Sequence, residues 1–131
     1  MTTAVQHGEI LTGVSVAPLP AGAGAAYLKH RQPASGFALV GVAAVVALDA
    51  QGNCARVRVG ITGLASKAFR ATAVETALAG KPAAAIATAA SHAADGVDAL
   101  ADIHAAADFR AELARVYTRR ALELAVARAK A

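Results

Sequence analysis

Hydrophobic and polar positions follow two different periods along this chain. From residue 8 to residue 62 the apolar positions tend to recur every second residue, the spacing of strands. Ile10, Val14 and Val16 share one side of an alternating run that Pro18 ends, and Pro20, Gly22 and Gly24 then supply a flexible connection. A short run over residues 26–31 is stopped by Pro33. The run over residues 37–48 is apolar on both sides. Val40, Val42, Val46 and Leu48 face one way and Gly41 and Ala43 the other, as in a strand covered from both directions. Residues 49–53 form a loop of hairpin length that contains a glycine. After it Ala55, Val57, Val59 and Ile61 alternate with Cys54, Arg56, Arg58 and Gly60, the pattern of a half-exposed strand.

From Phe69 onward the period becomes helical. Phe69, Ala73, Val74, Ala77 and Leu78 make one stripe, closed by Gly80 in the position after a helix C-cap. Pro82 stands where a first helical residue belongs, and the alanine-rich helix it opens runs to Asp95 and Gly96. A loop through Asp98 and Asp102 leads to a last helix over about residues 106–129. Four strands followed by three helices predict an α+β fold, an antiparallel sheet of three to four strands covered on one face by three helices. On the last helix Phe109, Leu113, Val116 and Leu124 gather on one face, with Arg120 in its middle. Two readings of Arg120 follow. Either it snorkels outward from a half-exposed helix end, or it is semi-buried and paired with Asp102 or Glu123.

Composition sharpens the picture of the core. Alanine supplies 39 of the 131 residues, with no Trp, two Tyr and three Phe, so the core is built from small side chains that let backbones approach closely. An apolar share of 56% against 17% charged residues excludes general disorder, and the length suits one domain over residues 1–131. The net charge is +4, of which +3 falls between Asp108 and the end, interleaved with acids and without an aromatic platform. That is not the dense basic face of a nucleic-acid binder. Cys54 is the single cysteine and cannot form an intrachain disulfide, which fits a reducing, cytoplasmic setting. The start lacks the basic and apolar regions of a signal peptide, and the longest apolar run falls short of the ~20 residues a membrane span needs.

Catalytic constellations are absent from the pattern. His7, His30, His92 and His104 are scattered, no Cys/His spacing resembles a zinc site, and Cys54 has no histidine near it in sequence. His104 and Asp108 have the spacing of a helix-start ion pair. The glycines at 22 and 24 lead toward a strand rather than a helix, so they read as a flexible turn and not as a phosphate loop. These residues offer neither a catalytic group nor a metal ligand.

Five segments in order nevertheless resemble the C-terminal domain of the FAD-binding medium subunit of molybdenum hydroxylases, the family of aerobic carbon monoxide dehydrogenases and bacterial xanthine dehydrogenases. They are Gly8-Glu9-Ile10-Leu11-Thr12 before Pro18; Ala26-Tyr27-Leu28-Lys29-His30-Arg31-Gln32-Pro33-Ala34-Ser35; Gly60-Ile61-Thr62-Gly63-Leu64-Ala65 leading to Phe69-Arg70-Ala71; Leu78-Ala79-Gly80-Lys81-Pro82; and Asp102-Ile103-His104-Ala105-Ala106-Ala107-Asp108-Phe109-Arg110 with Leu113, Val116 and Arg119-Arg120-Ala121-Leu122 behind it.

The resemblance implies a domain that supports FAD while electrons pass from molybdenum and iron–sulfur centres to an external acceptor. It implies three partners: a FAD-binding domain, an iron–sulfur small subunit and a molybdenum large subunit. The glycine-rich FAD domain that precedes this region in such subunits has no counterpart here. The chain is thus expected to be an excised piece or a short gene product, non-catalytic alone and without FAD of its own. Lys29 matches a lysine that faces the cofactor, and Leu11 an apolar residue beside its ring system. Where many relatives carry an acid just before the segment matching Phe37-Ala38, this chain has Gly36. The alternative from another class is a stand-alone helical module that dimerises through its alanine-rich helices.

Overall fold

In a computed structural model of the protein, which describes residues 3–131, the chain enters its first strand only after an N-terminal arm without helix or strand. Four strands follow, β1 (Ala23–Arg31), β2 (Ala38–Leu48), β3 (Cys54–Thr62) and β4 (Phe69–Arg70), in one antiparallel sheet of order β1-β2-β3-β4. Three helices complete the fold, α1 (Thr72–Leu78), α2 (Ile86–Ala90) and α3 (Ala107–Ala129), all packed on the same side of the sheet. The expected α+β class, with an antiparallel sheet and three helices on one face, is the one observed.

The β2–β3 hairpin forms where the pattern places it. Asp49 closes its loop by accepting hydrogen bonds at Oδ1 from the backbone N–H groups of Gln51 (2.9 Å) and Asn53 (2.8 Å). Val40, Val42, Ala44 and Val46 of β2 and Val57, Val59 and Ile61 of β3 lie side by side on the helix-covered face and form the floor of the core. No described helix or strand covers the opposite face of β2. Its apolarity comes from Gly41, Ala43, Val45 and Ala47, small residues that expose little hydrophobic area each, which is why the run looks buried on both sides.

Three other expectations change. Residues 10–19 carry a strand pattern but pair with no other described residue, and the sheet gains its fourth strand from Phe69–Arg70 instead. Phe69 therefore stands opposite Ile61 in the sheet rather than opening a helix, and α1 starts at Thr72. The helix expected from Pro82 is broken. A 3-10 turn over Ala83–Ala85 precedes α2 and another over Ser91–Ala94 follows it, with the Ser91 hydroxyl turned back onto the Thr88 carbonyl at 2.7 Å. Gly80, with a positive φ, ends α1 as expected.

The largest correction concerns the phase of α3. Its buried face is Arg110, Leu113, Ala114, Thr118, Ala121, Leu122, Ala125 and Val126, whereas Phe109 is 49% exposed. Alanine is what lets this face settle on the sheet. At Gly24 of β1 a Cβ atom would lie 1.9 Å from the Ala125 carbonyl oxygen and 2.5 Å from the Ala129 nitrogen, so strand and helix backbones meet there directly. Gly24 is thus a packing residue and not part of the flexible connection expected for it. Helix position is selected by this close approach and not by the largest side chains.

Candidate functional site

The uncovered face of the sheet is the surface on which Lys29 stands. Strand alternation sends Gly24 and Ala26 toward α3 and so sends Ala25, Tyr27 and Lys29 the other way. Lys29 pairs with Gly41, and the Tyr27 side chain lies over that same glycine, its hydroxyl where a Cβ at position 41 would collide at 2.5 Å. Beyond the Tyr27 ring, a floor of Ala43, Val45, Ala47 and Gly60 is left open, with Tyr27 and Lys29 along one margin. Along the other run Arg56, Arg58 and Arg70, which together with Ala43, Val45 and Gly60 line an open concavity of about 320 Å³.

The charges on that second margin are partly held. Glu75 of α1 is buried, accepts a hydrogen bond from the Val59 N–H at 2.9 Å, and pairs with Arg70 through both carboxylate oxygens; Arg58 stands 3.7 Å away. Burial would raise the Glu75 carboxyl, but the Arg70 and Val59 hydrogen bonds and the two cations outweigh it and hold the group below its ordinary value. Arg56 has no such partner among the described residues. On the first margin, the Lys29 ammonium donates to the Gly36 carbonyl at 3.0 Å, which fixes it against the turn between β1 and β2.

Leu11 lies elsewhere. It sits on the N-terminal arm, outside the sheet that carries Lys29, and is 70% exposed. Cys54 is fully buried, and burial pushes its thiol up, an inert setting for a thiol. His104 and Asp108 do not pair: the His104 N–H donates to Asp102, and Asp108 accepts from the N–H of Phe109. Arg120 is exposed and stacks over the Tyr117 ring at 5.6 Å, the outward reading of the two. The buried arginine of α3 is Arg110, which donates to the carbonyls of Leu39 (2.7 Å) and Gly63 (3.0 Å) and to Asp102 at 2.6 Å. Asp102 thus pairs with Arg110 and not with Arg120. Among the described residues no cluster of His, Cys, Asp or Glu could hold a metal ion. No helix there is long and apolar enough to cross a membrane.

Tyr27 and the Arg56–Arg58–Arg70 margin did not emerge as site residues from the sequence. Their available signal was the alternation of Arg56 and Arg58 with Val57 and Val59, which marks one face of β3 as polar but not what stands across from it.

The fold is thus a small antiparallel sheet with helices on one side and an open, cation-edged face on the other. The model of the CO dehydrogenase flavoprotein C-terminal domain matches residues 25–125, and the chain belongs to that family. It is 34% identical over 130 residues to the 6-hydroxypseudooxynicotine dehydrogenase complex subunit alpha of Paenarthrobacter nicotinovorans, covering 98% of this chain and 44% of that protein. It is also 34% identical to the carbon monoxide dehydrogenase medium chain of Afipia carboxidovorans, covering 98% of this chain and 45% of that one. Among solved structures, a chain of carbon monoxide dehydrogenase from Hydrogenophaga pseudoflava superposes with a TM-score of 0.77 at 33% identity, over 84% of this chain and 39% of that chain. A chain of quinoline 2-oxidoreductase from Pseudomonas putida 86 gives 0.77 at 28% identity, over 87% and 40%. The chain therefore spans less than half the length of the relatives it matches.

Proposed function

We propose that this chain, as one domain over residues 1–131, supports FAD within a molybdenum hydroxylase of the carbon monoxide dehydrogenase type. There it would work beside a FAD-binding domain, an iron–sulfur small subunit and a molybdenum large subunit. FAD, when bound, would receive electrons from the metal centres and release them to an external acceptor. Membership of the flavoprotein family is the observation that carries this reading. The residues present fit one edge of such a cofactor. The small-residue floor admits a flat ring system, and Lys29 supplies a cation beside it that would favour negative charge on the reduced ring or on phosphate. Leu11 would add an apolar contact from the arm. Nothing in these residues resembles a cradle for the whole pyrophosphate, since the turn at Gly22 leads into a strand. The chain alone is therefore assigned no catalysis. The alanine face that a helical dimerisation module would present lies against the sheet.

The experiment is co-expression with a separately produced FAD-binding domain of a flavoprotein medium subunit of this family. The chain purified alone is expected to be colourless and to show no FAD affinity at micromolar protein, and the pair is expected to co-purify with flavin absorbance. Stoichiometric flavin on the isolated chain, or failure of the pair to associate, would overturn the reading.

A further inference from the structure

Tyr27 divides the open face of the sheet into two ends. On one side of it Lys29, Gly41 and Thr62 pair across the strands; on the other the rows are Ala25, Val45 and Arg58, then Ala23, Ala47 and Arg56. Arg56 stands about 20 Å along the strands from Lys29. The flavin edge proposed above belongs to the Lys29 end. The Arg56 end is a shelf of small apolar residues over β1 and β2, bounded by two exposed arginines of β3. β2 carries no polar side chain on either face. Such strands are ordinarily covered from both sides, yet no described element covers this one.

The arginines of that end hold charge in excess. Arg58 donates to the Val57 carbonyl at 2.8 Å and stands 3.7 Å from Glu75, whose carboxylate is already engaged by Arg70 and the Val59 N–H. Arg56 makes no hydrogen bond or ion pair with any described residue. Three guanidiniums against one carboxylate leave two positive charges uncompensated on this margin. Arg56 and Arg58 rise between two open hollows, about 320 Å³ on the sheet side and about 250 Å³ toward α1. A small-molecule site encloses most of its ligand, whereas a row of arginines between shallow hollows suits the surface of another polypeptide.

We propose that the Arg56 end of the sheet docks an acidic amphipathic helix of a partner polypeptide, its apolar side on Ala25, Val45 and Ala47 and two of its carboxylates on Arg56 and Arg58. Charge and spacing select this occupant. Two uncompensated cations call for two carboxylates, which the guanidinium fork receives in a bidentate manner. From the β1 row to the β3 row the shelf is about 10 Å wide, the diameter of a helix. Arg56 and Arg58 are about 7 Å apart along β3, close to the rise of about 6 Å between acids four residues apart on a helix. Alanines on the shelf let a helix backbone come close, as α3 does on the other face at Gly24.

The test is an NMR titration of the purified chain with a short alanine-rich helical peptide carrying one apolar stripe and, beside it, glutamates at i and i+4. The Nε–Hε signals of Arg56 and Arg58 are expected to move, and those of Arg115 and Arg119 to stay. Arg56→Gln with Arg58→Gln is expected to raise the dissociation constant about tenfold or more, while Lys67→Gln with Arg119→Gln, which removes equal charge elsewhere, leaves it within about twofold. Because Arg56 pairs with no described residue, Arg56→Gln alone should keep the wild-type melting temperature and still weaken binding about threefold or more, which separates docking from folding. A peptide of the same composition with its glutamates scattered should bind about tenfold more weakly. Equal losses in the two double variants, equal binding of the scattered peptide, or unmoved Arg56 and Arg58 signals overturn the proposal. Tighter binding of inorganic phosphate, a single-stranded oligonucleotide or phosphatidylserine vesicles at these arginines also overturns it, assigning the margin to that anion. No flavin enters the titration, so its failure leaves the proposed function standing, and failure of the flavin reading leaves the docking site standing.

Discussion

Arg110 and Arg120 occupy the same helix with the same charge, and their surroundings set opposite expectations for their removal. Arg110 is buried and ties three otherwise separate pieces together: the start of β2 through Leu39, the end of β3 through Gly63, and the loop before α3 through Asp102. Truncating it strands two carbonyls and empties a packed volume. Arg110→Ala is therefore expected to cost about 3 kcal/mol in a denaturant melt. Arg120→Ala gives up only an exposed stacking contact with Tyr117, worth about 0.5 kcal/mol. Equal losses at the two positions would refute this division. Lys29 belongs at the same scale. Its hydrogen bond to Gly36 is half-buried, so Lys29→Met is expected to lower stability by no more than about 1 kcal/mol. In the flavin-containing complex the same change should weaken FAD retention or lower the flavin midpoint potential, because a cation favours the reduced, anionic form. About 30 mV on a two-electron couple corresponds to about 1.4 kcal/mol, so a redox titration beside wild type resolves it. Unchanged flavin content and potential would leave Lys29 a structural residue of the β1–β2 turn.

Between elements, the contact of β1 with α3 is the tightest feature of the fold. Gly24 has no room for a single methyl group, because what it meets is helix backbone and not a side chain that could turn aside. Gly24→Ala should push α3 off the sheet and destabilise the chain by about 2 kcal/mol or more, in the range of overpacked cores. The control is Gly52→Ala, in the β2–β3 loop, where nothing lies within 4 Å of the added methyl and only the positive φ opposes it. A circular-dichroism melt in which Gly24→Ala is as stable as wild type would show that the helix can shift without loss. The α1 element is held differently, through Glu75 reaching across to Val59 and Arg70. Polar anchoring suits a helix of this length, which has few side chains to bury.

At the scale of the whole molecule, acid sensitivity follows from three carboxylates. Glu75, Asp102 and Asp49 are all held below their ordinary values, Asp102 chiefly by the N–H of His104 and Asp49 chiefly by the N–H of Asn53. A carboxyl with a depressed folded pKa adds stability that is fully present above its unfolded value and is lost as the pH falls through the folded one. With ordinary values of 4.5 for Glu and 3.8 for Asp, stability should begin to fall below about pH 5 and continue falling toward pH 3. Glu75→Gln should flatten that decline while lowering stability at neutral pH. A decline just as steep in the variant would remove Glu75 from the account.

The strands β2 and β3, their hairpin, the end of α1 at Gly80 and the extent of α3 were legible in the sequence. Each depends on local chemistry: alternation of Val with polar residues, an Asp and a Gly in a tight loop, a glycine after a helix. The residues resembling a flavoprotein domain were legible for the same reason, since a motif is a local pattern. What alanine does was not legible. A helix rich in alanine has little contrast between its faces, so its large residues pointed to one side of α3 while close approach to Gly24 selected another. Likewise Arg110 looks like any helix arginine until Leu39 in β2 and Gly63 just after β3 bring their carbonyls to it. The arm shows the same limit from the other direction. Its alternation states a preference for pairing, but whether a strand forms depends on an edge to receive it, and among the described residues none does.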